Sequence, residues 1–172
     1  MDTKQEFSAG GVVFKKPQSK DNKITTVFLL GKHSGYHKWV LPKGLIEAGE
    51  IQEQTAIRET EEEMGVVAKI VKSEPIYVEK YTYTADYKKA SDISLETPQS
   101  TRRIKQYQEA GGKSVLVKKT VTFYLMEWVS GDPVNDHGWE MSEAGWFDFD
   151  KCMEMMGFEG EKEALKKVIK SF

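Results

Sequence analysis

The chain has 172 residues, 39% hydrophobic and 30% charged, a balance that suits one globular domain able to bury its own core and excludes fibrous or disordered classes. The formal net charge of −2 gives no general attraction to duplex nucleic acid or to anionic membranes. With one cysteine, Cys152, no intrachain disulfide can form, no apolar run is long enough to span a bilayer, and no secretory signal region is seen, so the cytoplasm is the expected compartment.

In chain order, residues 7–14 and 24–30 are rich in β-branched and aromatic side chains around a turn-prone segment at 19–22, and are expected to form paired strands. Residues 31–49 read as a loop with four glycines, Pro42, His33, His37 and Trp39. Residues 50–64 contain neither Pro nor Gly and are dominated by good helix formers, and Gly65 follows as the stop. Residues 66–83 are expected to give one or two strands. Residues 115–129 are expected to give a further pair, broken near Lys118 and Lys119. From Glu161 onward, Leu165, Val168, Ile169 and Phe172 recur at helical spacing and predict one apolar face on a terminal helix. Cys152, amid Met153, Met155 and Met156, reads as core filler.

Residues 84–119 form a polar stretch with eight Lys or Arg and four acids, about four units positive against a remainder about six units negative. Such a stretch is either a solvated insertion or a functional loop that grips substrate. Arg102, Arg103 and Lys105 are its candidate substrate contacts.

The chemistry concentrates between Gly44 and Val66. An α-helix turns by about 100° per residue, so Glu59, Glu62 and Glu63 share one face. Ala56, Ile57, Thr60 and Met64 lie on the opposite stripe. Crowded carboxylates repel unless a cation compensates, and hard oxygen donors suit Mg²⁺ or Mn²⁺. A solvated acidic face with an ordinary Arg58–Glu62 pair is the alternative. The glycine-bearing loop ahead of the helix favours the metal reading. Gly44 and Gly49 let backbone approach a metal or a phosphate, and the helix start points free N–H groups at an anion.

Gly44, Glu50, Arg58, Glu59, Glu62, Glu63, Gly65 and Val66 stand at the positions of the Nudix box, G-x5-E-x7-R-E-U-x-E-E-x-G-U, where U is apolar. The stretch therefore resembles the Nudix hydrolase family, and the Pro42-Lys43-Gly44 approach looks like that of its dinucleoside-polyphosphate hydrolases. One position departs: Thr60 stands where an aliphatic residue is preferred. It can still pack inward if its hydroxyl bonds a carbonyl one turn earlier.

The resemblance implies an α/β (α+β) fold, an α/β/α sandwich around a mixed β-sheet, as one domain over residues 1–172 with the basic insertion. It implies a hydrolase that attacks phosphorus and uses Mg²⁺ or Mn²⁺. Glu59 and Glu63 would be metal ligands and Glu62 a ligand or the general base, with the Gly44 carbonyl in the coordination sphere. Arg58 would orient a box glutamate, and Glu50 would brace the loop. Glu140, with Glu143 as runner-up, is the candidate acid from a loop after the sheet. Lys43 would meet phosphate, and Tyr36, Tyr83 or Trp139 can stack on a base. Trp39 and Trp146 read as packing residues, and His33 and His37 as loop residues.

The expected substrate is a small phosphorylated molecule built on a nucleotide. A dinucleoside polyphosphate ranks first, and an oxidised nucleoside triphosphate or a nucleotide sugar second. Two other classes remain: a nucleotide-binding module without turnover, and an isomerase on an isoprenoid diphosphate, which needs a site cysteine that Cys152 is poorly placed to supply.

Overall fold

The computed structural model describes residues 2–86 and 114–172. Its strands are β1 Asp2–Lys15, β2 Val27–His33, β3 Trp39–Val40, β4 Lys43–Leu45, β5 Val67–Ile70, β6 Tyr77–Asp86, β7 Ser114–Ser130 and β8 Met141–Phe147. Its helices are α1 Gln52–Met64, α2 Pro133–Asp136, α3 Phe149–Met155 and α4 Glu159–Ile169. The strands form a mixed sheet whose central path runs β3-β2-β1-β7-β5, with β4 on β1, β6 on β7 and β8 on β2. No helix among the described residues is long and apolar enough to cross a membrane.

Two compact units are distinguished. The larger comprises Phe7–Glu79 and Val121–Phe172, and it has helices on both faces of its sheet. Val12, Phe14, Phe28, Leu30, Val121, Phe123 and Leu125 point to one side, where Cys152 of α3 and Ala164, Leu165 and Val168 of α4 cover them. The intervening Val13, Leu29, Tyr124 and Met126 point to the other, where Ala56 and Met64 of α1 close the layer. Side chains alternate along a strand, so covering both faces demands an almost unbroken apolar run in the central strands. The sequence of β1 from Ala9 to Phe14 has that character. The smaller unit's described part consists of residues 2–6, 80–86 and 114–120. There the buried Glu6 carboxylate accepts from the Tyr83 hydroxyl at 3.1 Å and lies 3.6 Å from the Lys119 ammonium.

Three elements differ from expectation. The loop at 31–49 carries two short strands, β3 and β4, and β4 pairs with β1 at Ala9–Gly44. Strand β7 runs through Lys118 and Lys119 without a break; Lys119 is tolerated because its charge finds Glu6. On α4 the buried stripe is Glu161, Ala164, Leu165 and Val168, displaced toward the N-terminus from the predicted face. The helix ends at Ile169, which is exposed like Phe172. The Phe172 ring nevertheless meets Phe14 edge-on, 4.8 Å between centroids. The expected insertion has strand at its described ends, residues 84–86 and 114–119, while Arg102, Arg103 and Lys105 lie outside the described residues.

Candidate active site

Helix α1 sets the geometry. It ends at Gly65, whose φ of 65° lies in the left-handed region and whose N–H donates to the Glu61 carbonyl at 2.9 Å. A side chain at this position would also overlap the Asp136 backbone, so glycine serves both the cap and the close approach. Thr55, Ala56, Thr60 and Met64 are fully buried. The Thr60 hydroxyl donates to the Ala56 carbonyl at 2.8 Å, which lets Thr60 occupy an apolar position.

The same helix buries two of its three clustered carboxylates. Glu59 and Glu63 are 3% and 8% exposed, whereas Glu62 is exposed. Arg58 organises two of them, Glu59 and Glu62. Its Nη1 donates to Glu59 Oε1 at 2.7 Å and to Glu62 Oε2 at 3.1 Å. Its Nε and Nη2 bond both oxygens of Glu50 at 2.6 and 3.0 Å, and Nη2 also reaches the Leu45 carbonyl at 3.1 Å. A planar guanidinium is suited to such a fork, which a lysine could not reproduce. The Arg58 bonds, joined by the Thr55 hydroxyl at 2.6 Å, hold the Glu50 carboxyl down at about 2. The pKa of Arg58 is raised in turn, chiefly by Glu50 and then by Glu59 and Glu62, against desolvation.

Gly44 lies where β4 meets α1. Any Cβ here would overlap the Glu59 carboxylate, so the absent side chain is what lets that carboxylate lie against the backbone. Next to it, the Lys43 N–H donates to Glu63 Oε2 at 3.0 Å. The Glu63 carboxyl is held well above the usual carboxylate range. Burial is the largest cause; Lys43 opposes it, and the nearby charges of Glu59 and Glu140 reinforce it. The charges of Glu59 and Glu140 thus both bear on Glu63. Glu140 stands just before β8, and its carbonyl accepts from Ser34 N at 2.8 Å. The adjoining Gly138 N–H donates to the Glu63 carbonyl at 2.9 Å, which ties this loop to the end of α1. Glu143 points elsewhere and pairs with Lys32 at 3.4 Å.

Lys43 has a partner within the fold. Its ammonium does not stand free: it makes a 2.6 Å ion pair with Glu161, on the first turns of α4, and Glu161 is only 1% exposed. Burial lowers the lysine's pKa, but Glu161, Tyr36 and Glu63 outweigh it and keep the group charged. Glu161 is the residue that sequence reasoning missed at this site. The available signal was an acid in register with Ala164, Leu165 and Val168, at i, i+3, i+4 and i+7.

Among the aromatic candidates, Tyr36 is exposed and stacks on His33 at 3.9 Å, and Trp139 is exposed. Trp39 packs on the core against Phe147 at 5.3 Å, and Trp146 packs against the opposite layer. His37 adopts φ 57° in the turn. Tyr83 belongs to the smaller unit. Cys152 is fully buried among the α3–α4 contacts.

A sequence-family model described as the NUDIX domain matches residues 8–168. The chain belongs to the NUDIX domain family. A bis(5'-nucleosyl)-tetraphosphatase [asymmetrical] of Rattus norvegicus is 25% identical over 162 residues, 93% of this chain and 90% of that protein. The Sus scrofa protein of the same description is 40% identical over 63 residues, 36% of this chain and 43% of its own length. The chain spans about half the length of the first curated relatives it matches, 54% of one from Mycobacterium tuberculosis and 43% of the pig protein. Among solved structures, a Caenorhabditis elegans Ap4A hydrolase binary complex is similar with a TM-score of 0.62 and 22% identity, covering 97% of this chain and 99% of that one. That likeness shows the NUDIX fold, with its α/β/α layering. The segment from Gly44 to Val66, in which Arg58 gathers its carboxylates, is the NUDIX box of this chain.

Proposed function

We propose that the protein hydrolyses a phosphoanhydride bond in a nucleoside diphosphate linked to another moiety, with a dinucleoside polyphosphate as substrate. The observation that carries this reading is the carboxylate cluster of α1, with Arg58 bonding Glu59 and Glu62, Glu59 lying against the side-chain-free Gly44, and the buried Glu63 accepting from the Lys43 N–H. The donor set is all oxygen and too acidic for its own cations, which fits Mg²⁺ or Mn²⁺. Among the described residues no group of three acidic, histidine or cysteine side chains is by itself arranged to hold a metal ion, so the Gly44 carbonyl, water and substrate phosphate would have to complete the shell. Glu59, Glu63, Glu62, Glu140 and the Gly44 carbonyl are the groups that would hold the cation. Once bound, it would neutralise phosphate oxygens and acidify a water.

The chain's own residues have separate tasks in this reading. Arg58 keeps Glu59 and Glu62 in fixed rotamers while its other edge is anchored on Glu50, so the carboxylates do not reorganise during the reaction. Glu62, exposed and held by Arg58 through one carboxylate oxygen, would take a proton from an attacking water. Lys43, Tyr83, Arg102, Arg103 and Lys105 are the proposed contacts to phosphates and base. The names of the rat and pig relatives support the dinucleoside tetraphosphate, and the lone cysteine supports a cytoplasmic setting. The test is phosphate and nucleotide release from a panel containing a dinucleoside tetraphosphate, an oxidised nucleoside triphosphate and a nucleotide sugar, with Mg²⁺ and with chelator. Chelator-sensitive cleavage fastest on the tetraphosphate is expected. Faster cleavage of another member would reassign the substrate, and nucleotide binding without turnover would mark a silent module.

A further inference from the structure

A buried acid on a helix otherwise packed by Ala164, Leu165 and Val168 is costly unless it has a task. Two charges removed from water regain little net stability, and a well-packed apolar pair would often serve the fold as well. Glu161 nonetheless sits at 1% exposure. Its Oε2 accepts from Leu41 N at 3.2 Å, and its Oε1 faces the Lys43 ammonium at 2.6 Å. One carboxylate therefore holds both ends of the segment 41–43. That segment delivers the Lys43 N–H to Glu63 Oε2 at 3.0 Å and leads into Gly44, against which Glu59 lies. Glu79 adds a second carboxylate at the same place: it packs on Gly160 in the first turn of α4, so Lys43 is the cation that offsets this acidic end of the helix.

We propose that Glu161 is a positioning residue for the hydrolytic site, acting through Lys43: it fixes the lysine and the 41–43 backbone so that Glu63 is held for the reaction. The inference rests on the hydrolase reading above and assigns a site role to α4, outside the box. Glu161 touches no reacting atom. Its effect reaches the site through two links, the ion pair to Lys43 and the Lys43 N–H bond to Glu63.

The test is a double-mutant cycle with Lys43→Met, Glu161→Gln and the double variant, assayed on a dinucleoside tetraphosphate with Mg²⁺, together with melting temperatures and ¹⁵N NMR of lysine ammonium groups. Each single variant is expected to lose at least tenfold in kcat/KM, with the double variant no worse than Lys43→Met. A purely structural pair gives a different pattern. Lys43→Met strands Glu161 and lowers the melting temperature, and the double variant regains it; under our proposal it regains the melting temperature without the activity. A slowly exchanging Lys43 ammonium signal, assigned by its loss in Lys43→Met, should be seen in the wild type and vanish in Glu161→Gln. Additive activity losses, recovery of activity in the double variant, or an ammonium signal unchanged by Glu161→Gln would each overturn the proposal. Normal turnover by Lys43→Met would overturn it too, while wild-type turnover would leave the hydrolase reading standing.

Discussion

Helices α1 and α4 lie on opposite faces of one sheet and both bury glutamate, but they do so under opposite electrostatic regimes. On α1, Glu59 and Glu63 share one neighbourhood with Glu140, and Arg58 compensates only part of that charge while it is divided among Glu50, Glu59 and Glu62. On α4, Glu161 has the Lys43 ammonium in direct contact at 2.6 Å, and the same lysine offsets Glu79 nearby. The first arrangement stores repulsion that a bound cation can relieve, so it favours a ligand. The second pairs its buried acid with a cation at contact distance and favours a fixed geometry. A buried acid is therefore informative about function only together with the count of cations around it.

The sharpest way to break the contrast is Glu63→Gln. Loss of one carboxylate should cut kcat by two or more powers of ten, since a metal's share of transition-state stabilisation is several kcal/mol. The metal-free protein should melt no lower, because repulsion with Glu59 and Glu140 disappears. Near-normal kcat at saturating Mg²⁺ would show that Glu63 is not part of the working ligand set. Arg58→Lys should come next, losing roughly 10- to 100-fold in activity because a single ammonium cannot hold Glu50, Glu59 and Glu62 together; steady-state kinetics across a Mg²⁺ titration checks it.

Smaller in effect is replacement of Arg102, Arg103 and Lys105 with Ala. KM for a dinucleoside tetraphosphate should rise several-fold with kcat little changed, and the effect should fade with salt as charges screen over about 8 Å. A nucleotide sugar should show no change, and an equal, salt-independent response would separate this segment from substrate binding. Glu50 offers a pH test of the α1 side. Its carboxyl is depressed to about 2, so its contribution to stability is full above its unfolded value, near about 4.3, and is lost as pH falls toward 2. The stability gap between the wild type and Glu50→Gln, read by urea unfolding, should be level above about pH 5 and shrink below it. Smallest of all is Thr60→Val, expected within about 1 kcal/mol of neutral because a bonded hydroxyl is exchanged for a methyl of similar volume. A large activity loss at unchanged stability would place Thr60 in the site.

The same comparison explains what could be read from the chain. Helix α1 was legible because Glu59, Glu62 and Glu63 recur at helical spacing behind a glycine-bearing loop, and because Arg58 and Glu50 complete a spaced pattern. Thr60 was legible too, since the carbonyl bond it needs is local. Glu161 was not, because an acid in the first turn of a helix is what the helix dipole alone would favour, and nothing local announces a partner 118 positions away at Lys43. The break expected at Lys118 and Lys119 failed for the same reason: the compensating Glu6 lies far off in sequence. Local periodicity also mislaid the α4 face, which assumed that apolar residues alone choose the buried stripe.

Cys152 has a practical consequence. The thiol is fully buried in the layer between the sheet and α3–α4, and burial pushes it up to about 12, so almost no thiolate exists in the native state at neutral pH. With no second cysteine in the chain, its rate of modification by a disulfide reagent becomes a clock for opening of that layer alone. Opening that admits reagent while the α1 side stays closed would be timed separately from global unfolding, with no label introduced.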